Sequence, residues 1–228
     1  MIKKRINKLI DLMEKNDIDA YIIPSADYHQ SEYVANYFKS REFISGFSGS
    51  AGTVCILKDG NHGLWTDGRY FLQAEKELKG SGIKLFKMGN PDVKDFDDWL
   101  IHNLEKNSTI GFDGKVFSAK KVKSLKKKSK VKNIEIDSSK DLIDEIWDDR
   151  PEIPSEKVIH HNIKYSGKST HSKLTDIRLK MEQLSIDKYI LTSLDDIAWT
   201  FNLRGSDVEY NPVFLAYVMI DNKNAVLY

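Results

Sequence analysis

A chain of 228 residues, 40% of them hydrophobic and 30% charged, with five prolines and a net charge of +1, can bury one core and part of a second, which excludes a disordered or fibrous polypeptide. No apolar run approaches the roughly 18 residues that a membrane-spanning helix needs, and the basic start Met1-Ile2-Lys3-Lys4-Arg5 leads into no continuous apolar stretch, so neither a membrane span nor a signal peptide is expected. The single cysteine, Cys55, lies in the apolar run Thr53-Val54-Cys55-Ile56-Leu57, where a buried inert thiol and a reducing cytoplasm are expected.

Ile2, Ile6, Leu9, Ile10 and Met13 recur on one face of a helix, with Lys3, Lys4, Lys8, Asp11 and Glu14 on the others. Ala20-Tyr21-Ile22-Ile23 then reads as a buried strand ended by Pro24-Ser25, and a second helix is expected from Asp27 to Phe38. Further strands are expected at Thr53 to Leu57, His62 to Thr66, Ile83 to Lys87, Thr109 to Phe112 and Val131 to Ile136. Helices fit Arg69 to Leu78, Asp95 to Leu104 and Ser118 to Lys128, so the alternation argues for a layered α/β domain with its strands shielded by helices. Lys115 to Lys132 holds nine lysines and no acid, but Val116, Val122 and Leu125 recur near helical spacing and no arginine interleaves. A solvated helix face is expected there, and no nucleic-acid partner. The pattern lapses from Asp148 to Ser166, because Arg150-Pro151-Glu152-Ile153-Pro154 can continue neither a helix nor a central strand. That places a first domain at 1–147, a linker at 148–166 and a second domain at 167–228.

The start of the chain repeats. Met13, Ile18, Asp19, Tyr21, Ile22, Ser25 and Asp27 recur as Met181, Ile186, Asp187, Tyr189, Ile190, Ser193 and Asp195, all at an offset of 168. The second copy opens on Leu174, Ile177, Met181 and Leu184 in an amphipathic helix and continues into an apolar stretch, Val213 to Ile220. Leu64-Trp65 aligns with Leu227-Tyr228, so the second copy is expected to be truncated and the segments 13–65 and 181–228 to share one topology.

No common catalytic signature is complete. Gly46-Phe47-Ser48-Gly49-Ser50-Ala51-Gly52 has the spacing of neither a dinucleotide fingerprint, a P-loop nor a nucleophile elbow, and a tight turn is expected. The histidines His29, His62, His102, His160, His161 and His171 show no metal-ligand spacing, and one cysteine cannot supply a zinc site. Asp95, Asp97 and Asp98 precede Trp99 and Leu100 at a helix start, where acids favour the positive end of the dipole. No metal, and no cofactor, is expected on this chain.

Three ordered segments carry a resemblance: Pro24-Ser25 through His29-Gln30-Ser31-Glu32-Tyr33, then Phe43 through Thr53, then Trp65-Thr66-Asp67-Gly68-Arg69-Tyr70-Phe71-Leu72-Gln73-Ala74. Together with Asp148-Asp149-Arg150-Pro151, Leu194-Asp195-Asp196-Ile197-Ala198-Trp199, Asn202-Leu203-Arg204-Gly205-Ser206-Asp207 and Asn211-Pro212-Val213-Phe214, the chain resembles the N-terminal region of the three-domain cytosolic Xaa-Pro aminopeptidases. The resemblance implies two creatinase-type N-terminal domains, three-layer α/β/α with a mixed, ribonuclease-H-like sheet, preceding a pita-bread catalytic domain that is absent here. By the same resemblance that absent domain is expected to hold two divalent ions, commonly manganese, and the parent enzyme is expected to be a cytoplasmic homodimer that removes an N-terminal residue preceding proline. By the same resemblance Arg69, on a turn that Gly68 is expected to permit, reaches toward the catalytic cleft. An ion pair from Arg69 to Asp67 or Glu75 is the competing role. His29, Trp65 and Tyr70 brace that turn or contact peptide. An alternative is a non-hydrolytic, peptidase-like binding module such as that of the FACT histone chaperone.

Overall fold

The computed structural model describes residues 1–228, which form two compact units, one of residues 1–32 and 37–151 and the other of residues 33–36 and 152–228.

In the first unit α1 (Ile2–Lys15) buries Ile6, Leu9 and Met13, the apolar face read from its periodicity. It stops where Asp17 takes φ 53°, which lets the Ile18 N–H return to the Met13 carbonyl at 2.9 Å. The strands β1 (Ala20–Pro24), β2 (Thr53–Leu57), β3 (His62–Thr66), β4 (Ile83–Lys87), β5 (Thr109–Gly111) and β6 (Glu135–Asp137) form one sheet in the order β4-β3-β2-β1-β5-β6. β2 runs antiparallel to both β1 and β3, and the β3–β4, β1–β5 and β5–β6 pairs are parallel. Side chains alternate between its faces. Tyr21, Ile23, Val54 and Ile56 pack with α1 and α2 (Ser40–Ser45), whereas Ala20, Ile22, Cys55 and Leu57 pack with α4 (Phe96–Asn103) and α5 (Ala119–Ser129). The result is the expected three-layer α/β/α arrangement with a mixed sheet. Burial raises the Cys55 thiol well above its ordinary range, as an inert core cysteine requires.

Two expectations are corrected. No helix spans 27–38: the segment turns, with only a 3₁₀ turn at Asn36–Phe38 before α2. The buried Asp27 carboxylate accepts the His29 and Ser31 N–H groups at 2.8 and 2.9 Å, and Gln30 takes φ 59°. A side chain that binds the backbone two and four residues on offers the chain an alternative to helix. The last strand begins at Glu135 rather than Val131, because a 3₁₀ turn at Lys130–Lys132 ends on Asn133 at φ 53°. Of the lysine-rich stretch, Lys121 and Lys128 serve Asp97, whose carboxylate they meet at 3.1 Å each, and Lys128 also meets Asp98 at 2.7 Å. Burial pushes the Asp97 carboxyl up, and the two lysines more than offset it and hold it below its usual range.

The end of this unit is fastened by Arg150. Its guanidinium donates to Asp141 at 2.7 Å, Asp144 at 2.9 Å and the Tyr37 carbonyl at 3.1 Å, and lies 3.9 Å from the Tyr37 ring centre.

The second unit carries a short β7 (Ile159–His160) paired with β9 (Leu203–Arg204), a single turn α6 (Ile163–Ser166), and α7 (Thr170–Gln183), β8 (Lys188–Leu191), α8 (Leu194–Phe201), β10 (Val218–Asp221) and β11 (Ala225–Leu227). β10 is shorter than the apolar stretch from Val213 suggests. The Asp207 carboxylate draws Leu215 N–H aside at 2.8 Å. The strands order as β11-β10-β8, all antiparallel, which is the order of β3-β2-β1. The registers agree as well. Tyr189 faces Ile220 as Tyr21 faces Ile56, and Val218 faces Leu227 as Val54 faces Leu64. Even the helix stop recurs, with Ser185 at φ 54° and Ile186 N–H on the Met181 carbonyl at 2.9 Å. The repeated identities therefore mark a repeated helix–strand–helix–strand–strand topology.

Candidate functional site

Two segments of the first unit, the glycine-rich loop after α2 and the turn after β3, are tied together by side chains. α2 ends on Gly46 at φ +74°, the left-handed stop that favours glycine. The loop that follows wraps around Arg41, a buried guanidinium without a carboxylate partner. Its Nε donates to Ser25 Oγ at 2.6 Å and its Nη1 to the Phe47 carbonyl at 2.6 Å, while Nη2 donates to the Gly49 carbonyl. The Phe47 ring centre lies 4.6 Å from the guanidinium carbon. Burial lowers Arg41 to about 10, so it stays charged at neutral pH. Gly49 is required by packing, since a Cβ there would lie 2.3 Å from Phe47 Cζ and 2.8 Å from Tyr70 Cδ1. The loop rim is fixed by Glu77, which accepts from Ser48 N–H at 2.9 Å and Ser48 Oγ at 2.8 Å.

The turn begins at Thr66, whose hydroxyl donates to the Ala51 carbonyl at 2.7 Å, and ends at Tyr70, the N-cap of α3 (Phe71–Glu77). Tyr70 and Ser50 share a hydroxyl hydrogen bond of 2.7 Å, which locks turn to loop. Within the turn Asp67 Oδ1 accepts from Arg69 N at 3.0 Å and Nε at 2.9 Å, and Oδ2 accepts from Nη2 at 3.0 Å. The hydrogen bond from Arg69 holds the Asp67 carboxyl below its usual range, and the same bond raises Arg69. Arg69 is thus a planar fork held side-on by one carboxylate, 61% exposed, with Nη1 bonded to no protein atom. A guanidinium so held can donate in a fixed direction to carbonyl or carboxylate oxygens.

The four residues singled out in the sequence take different places. The ion pair of Arg69 goes to Asp67 and not to Glu75, which meets Lys87 at 2.6 Å. Tyr70 is half-buried at the edge of the turn. Trp65 is buried, stacked on Phe86 at 4.2 Å, and donates to the Lys94 carbonyl at 2.9 Å, so it supports the strand beneath the turn. His29 sits on the separate 27–31 turn, where its N–H meets Asp27. Gly68 does not have the role expected of it: its φ lies outside the left-handed region, and an added Cβ would meet only Phe71 Cε2, at 3.9 Å. The sequence reading missed Arg41, because Ser40-Arg41-Glu42 reads as a polar helix surface. Gly49→Ala is accordingly expected to destabilise the fold by about 1–3 kcal/mol through overpacking, and Gly68→Ala to change it by less than about 0.5 kcal/mol, as read by denaturant unfolding.

The acidic group Asp95, Asp97 and Asp98 brings carboxylate oxygens within 4.8 Å of one another. Lys121 and Lys128 already occupy Asp97 and Asp98, so these residues do not fit a divalent cation, and they stabilise the α4–α5 pair instead. A small cavity of about 20 Å³ lies between Tyr21, Ala26, Phe38, Asp113, Asp141 and Arg150, room for about one water. Burial, with Asp141 nearby, raises the Asp113 carboxyl. No helix is long and apolar enough to cross a membrane.

Comparison with known proteins agrees along the whole chain. Residues 5–146 and residues 149–228 each match a family described as the creatinase/prolidase N-terminal domain. The chain is 43% identical to Xaa-Pro aminopeptidase 1 of Dictyostelium discoideum over all of its own length and 37% of that protein. It is 44% identical to aminopeptidase P2 of Arabidopsis thaliana over 92% of its length and 30% of that protein. Among solved structures, the X-prolyl aminopeptidase of Caenorhabditis elegans, described as a cytosolic enzyme with a di-nuclear active site, is similar with a TM-score of 0.93 and 35% identity, over 100% of this chain and 38% of that one. The chain spans about a third of the length of the curated relatives it matches.

Proposed function

The chain belongs to the creatinase/prolidase N-terminal domain family, and from that premise we propose that it is the N-terminal, non-catalytic region of a metal-dependent Xaa-Pro aminopeptidase. The parent enzyme removes an N-terminal residue that precedes proline, using two divalent ions, manganese by preference, held by a catalytic domain outside this chain. It works in the cytoplasm as a homodimer. Residues 1–147 form the first domain, 148–166 the linker and 167–228 part of the second. Their task is to shape substrate access. Arg69 is the residue that meets the peptide, while Tyr70 and Trp65 brace its surroundings and His29 belongs to the 27–31 turn.

The observation that carries this reading is the exposed Asp67–Arg69 fork, rigidly joined to the glycine-rich loop by the Ser50–Tyr70 bond. Rigid donors on a turn are built to orient a ligand and do not by themselves break a bond. The reading is supported by similarity to Xaa-Pro aminopeptidases over the full chain. A histone-chaperone-like binding module has no observation in its favour. The test is direct. The purified 228-residue chain is expected to release no amino acid from a Xaa-Pro peptide, with or without manganese, and to bind manganese no more tightly than a non-specific protein by calorimetry. Manganese-dependent release of the first residue would overturn the non-catalytic assignment.

A further inference from the structure

The outer face of α5 carries charge that the fold does not use. Of the nine lysines between Lys115 and Lys132, Lys121 and Lys128 meet Asp97 and Asp98, Lys132 donates to the carbonyls of His102 and Leu104, and Lys115 lies over the Tyr28 ring. The other five, Lys120, Lys123, Lys126, Lys127 and Lys130, are exposed, and no carboxylate pairs with any of them. Leu125 and Ser129 are buried on the opposite face of the helix.

At about 100° per residue, Lys120, Lys123, Lys127 and Lys130 fall within about 80° of one another around the helix and span about 15 Å along it, with Lys126 at their border. Lys130 belongs to the row because the C-cap keeps helical dihedrals, φ −57° and ψ −29°. The row costs stability. Lysines three and four apart repel, and Lys120 sits in the first turn, where the helix dipole disfavours a cation and no acid offsets it. Val131, just beyond the row, is 80% exposed. A convex row of cations ending on an apolar residue fits a flat anionic surface that also accepts apolar groups. It does not fit a nucleic-acid strand, which takes a groove with aromatic or arginine side chains for its bases. The stretch has no arginine, and its one aromatic, Phe117, packs on Phe112 with ring centres 4.3 Å apart.

We propose that this face of α5 docks on the surface of an anionic phospholipid bilayer, with the five lysines among the headgroups and Val131 at the edge of the apolar region. Each lysine near such a surface strengthens binding about fivefold, so the five together hold the protein there reversibly. The association is electrostatic and weakens as salt rises. It is independent of any peptidase activity of the parent enzyme.

Sedimentation of the 228-residue chain with vesicles, in about 0.1 M salt, tests this docking. Binding is expected to phosphatidylcholine vesicles carrying about one-third phosphatidylserine, and not to phosphatidylcholine alone. Lys123→Gln combined with Lys127→Gln is expected to weaken it about 25-fold, and about 0.5 M salt to abolish it. Glutamine forms helix as well as lysine does, so circular dichroism should be unchanged and unfolding stability equal or slightly higher as repulsion is relieved. Lys3→Gln combined with Lys79→Gln removes the same charge from other exposed positions and should change binding by less than about twofold. Absence of binding, equal binding to uncharged vesicles, or an equal loss from the two double variants overturns the assignment of this face to a bilayer. If the chain ignores anionic vesicles but binds a single-stranded oligonucleotide through Lys123 and Lys127, the occupant is a nucleic acid and the bilayer is wrong.

Discussion

Replacing Arg41 by alanine is expected to lower unfolding stability by about 3–5 kcal/mol, a loss in the range of breaking a buried hydrogen-bonded network. The reason is what the truncation leaves behind. Arg41 donates to Ser25 Oγ and the carbonyls of Phe47 and Gly49 from a position only 5% exposed. Each buried carbonyl left without a donor costs about 1–3 kcal/mol, and the vacated volume beside the Phe47 ring adds a cavity term. Arg41→Lys keeps the charge but offers one ammonium where three separate nitrogens now reach three acceptors, so it is expected to recover less than half of the loss. Denaturant unfolding at neutral pH reads both variants, with the slope unchanged if the fold is otherwise retained. A loss below about 1 kcal/mol for the alanine variant would mean that water replaces the guanidinium and that the loop does not depend on it.

The sequence was most informative where side-chain period and backbone agree. The α1 face of Ile6, Leu9 and Met13 and the strands at Ala20, Thr53, His62 and Ile83 stand within a residue or two of their expected places. The repeat was legible because identities fell on structural necessities: Met13 and Met181 supply the carbonyls that close their helices, and Asp19 and Asp187 occupy the same place before a strand. What could not be read depended on where a polar side chain points. Asp27 turns inward to bind the backbone and forbids the helix that its neighbours suggest. Arg41 turns inward and becomes the centre of a loop, although its surroundings in sequence suggest a solvated surface. Gly68 misled in the opposite sense, since a glycine beside a candidate arginine invites a conformational role that its backbone does not use. Of the candidate site, the turn was legible from the motif, while its attachment through Ser50 to the glycine-rich loop needed the fold.

In the full-length enzyme Arg69→Lys is expected to lower kcat/KM toward Xaa-Pro peptides by about 10- to 100-fold, equivalent to about 1.4–2.7 kcal/mol of transition-state stabilisation. Lysine keeps the charge and loses the geometry. Asp67 grips Nε and Nη2 with both oxygens, an arrangement that fixes the plane of the guanidinium, whereas an ammonium on a flexible stem meets the same carboxylate as a point charge and sets no direction. Because Arg69 is 61% exposed and the pair lies at the surface, stability should stay within about 0.5 kcal/mol and metal content should not change. That combination separates a role in orienting substrate from a role in the fold. Asp67→Asn makes the complementary test, since it keeps one acceptor and weakens the grip, so an intermediate loss is expected. The pH dependence follows from sign: the hydrogen bond from Arg69 lowers the Asp67 carboxyl, so the fork is intact through neutral pH and is released only as pH falls through that lowered value. A fall in activity near neutral pH would therefore have to come from elsewhere in the enzyme. If Arg69→Lys cleaves a Xaa-Pro peptide as fast as the parent does, the Asp67–Arg69 pair only fastens its own turn, and the assignment of Arg69 to the peptide is wrong.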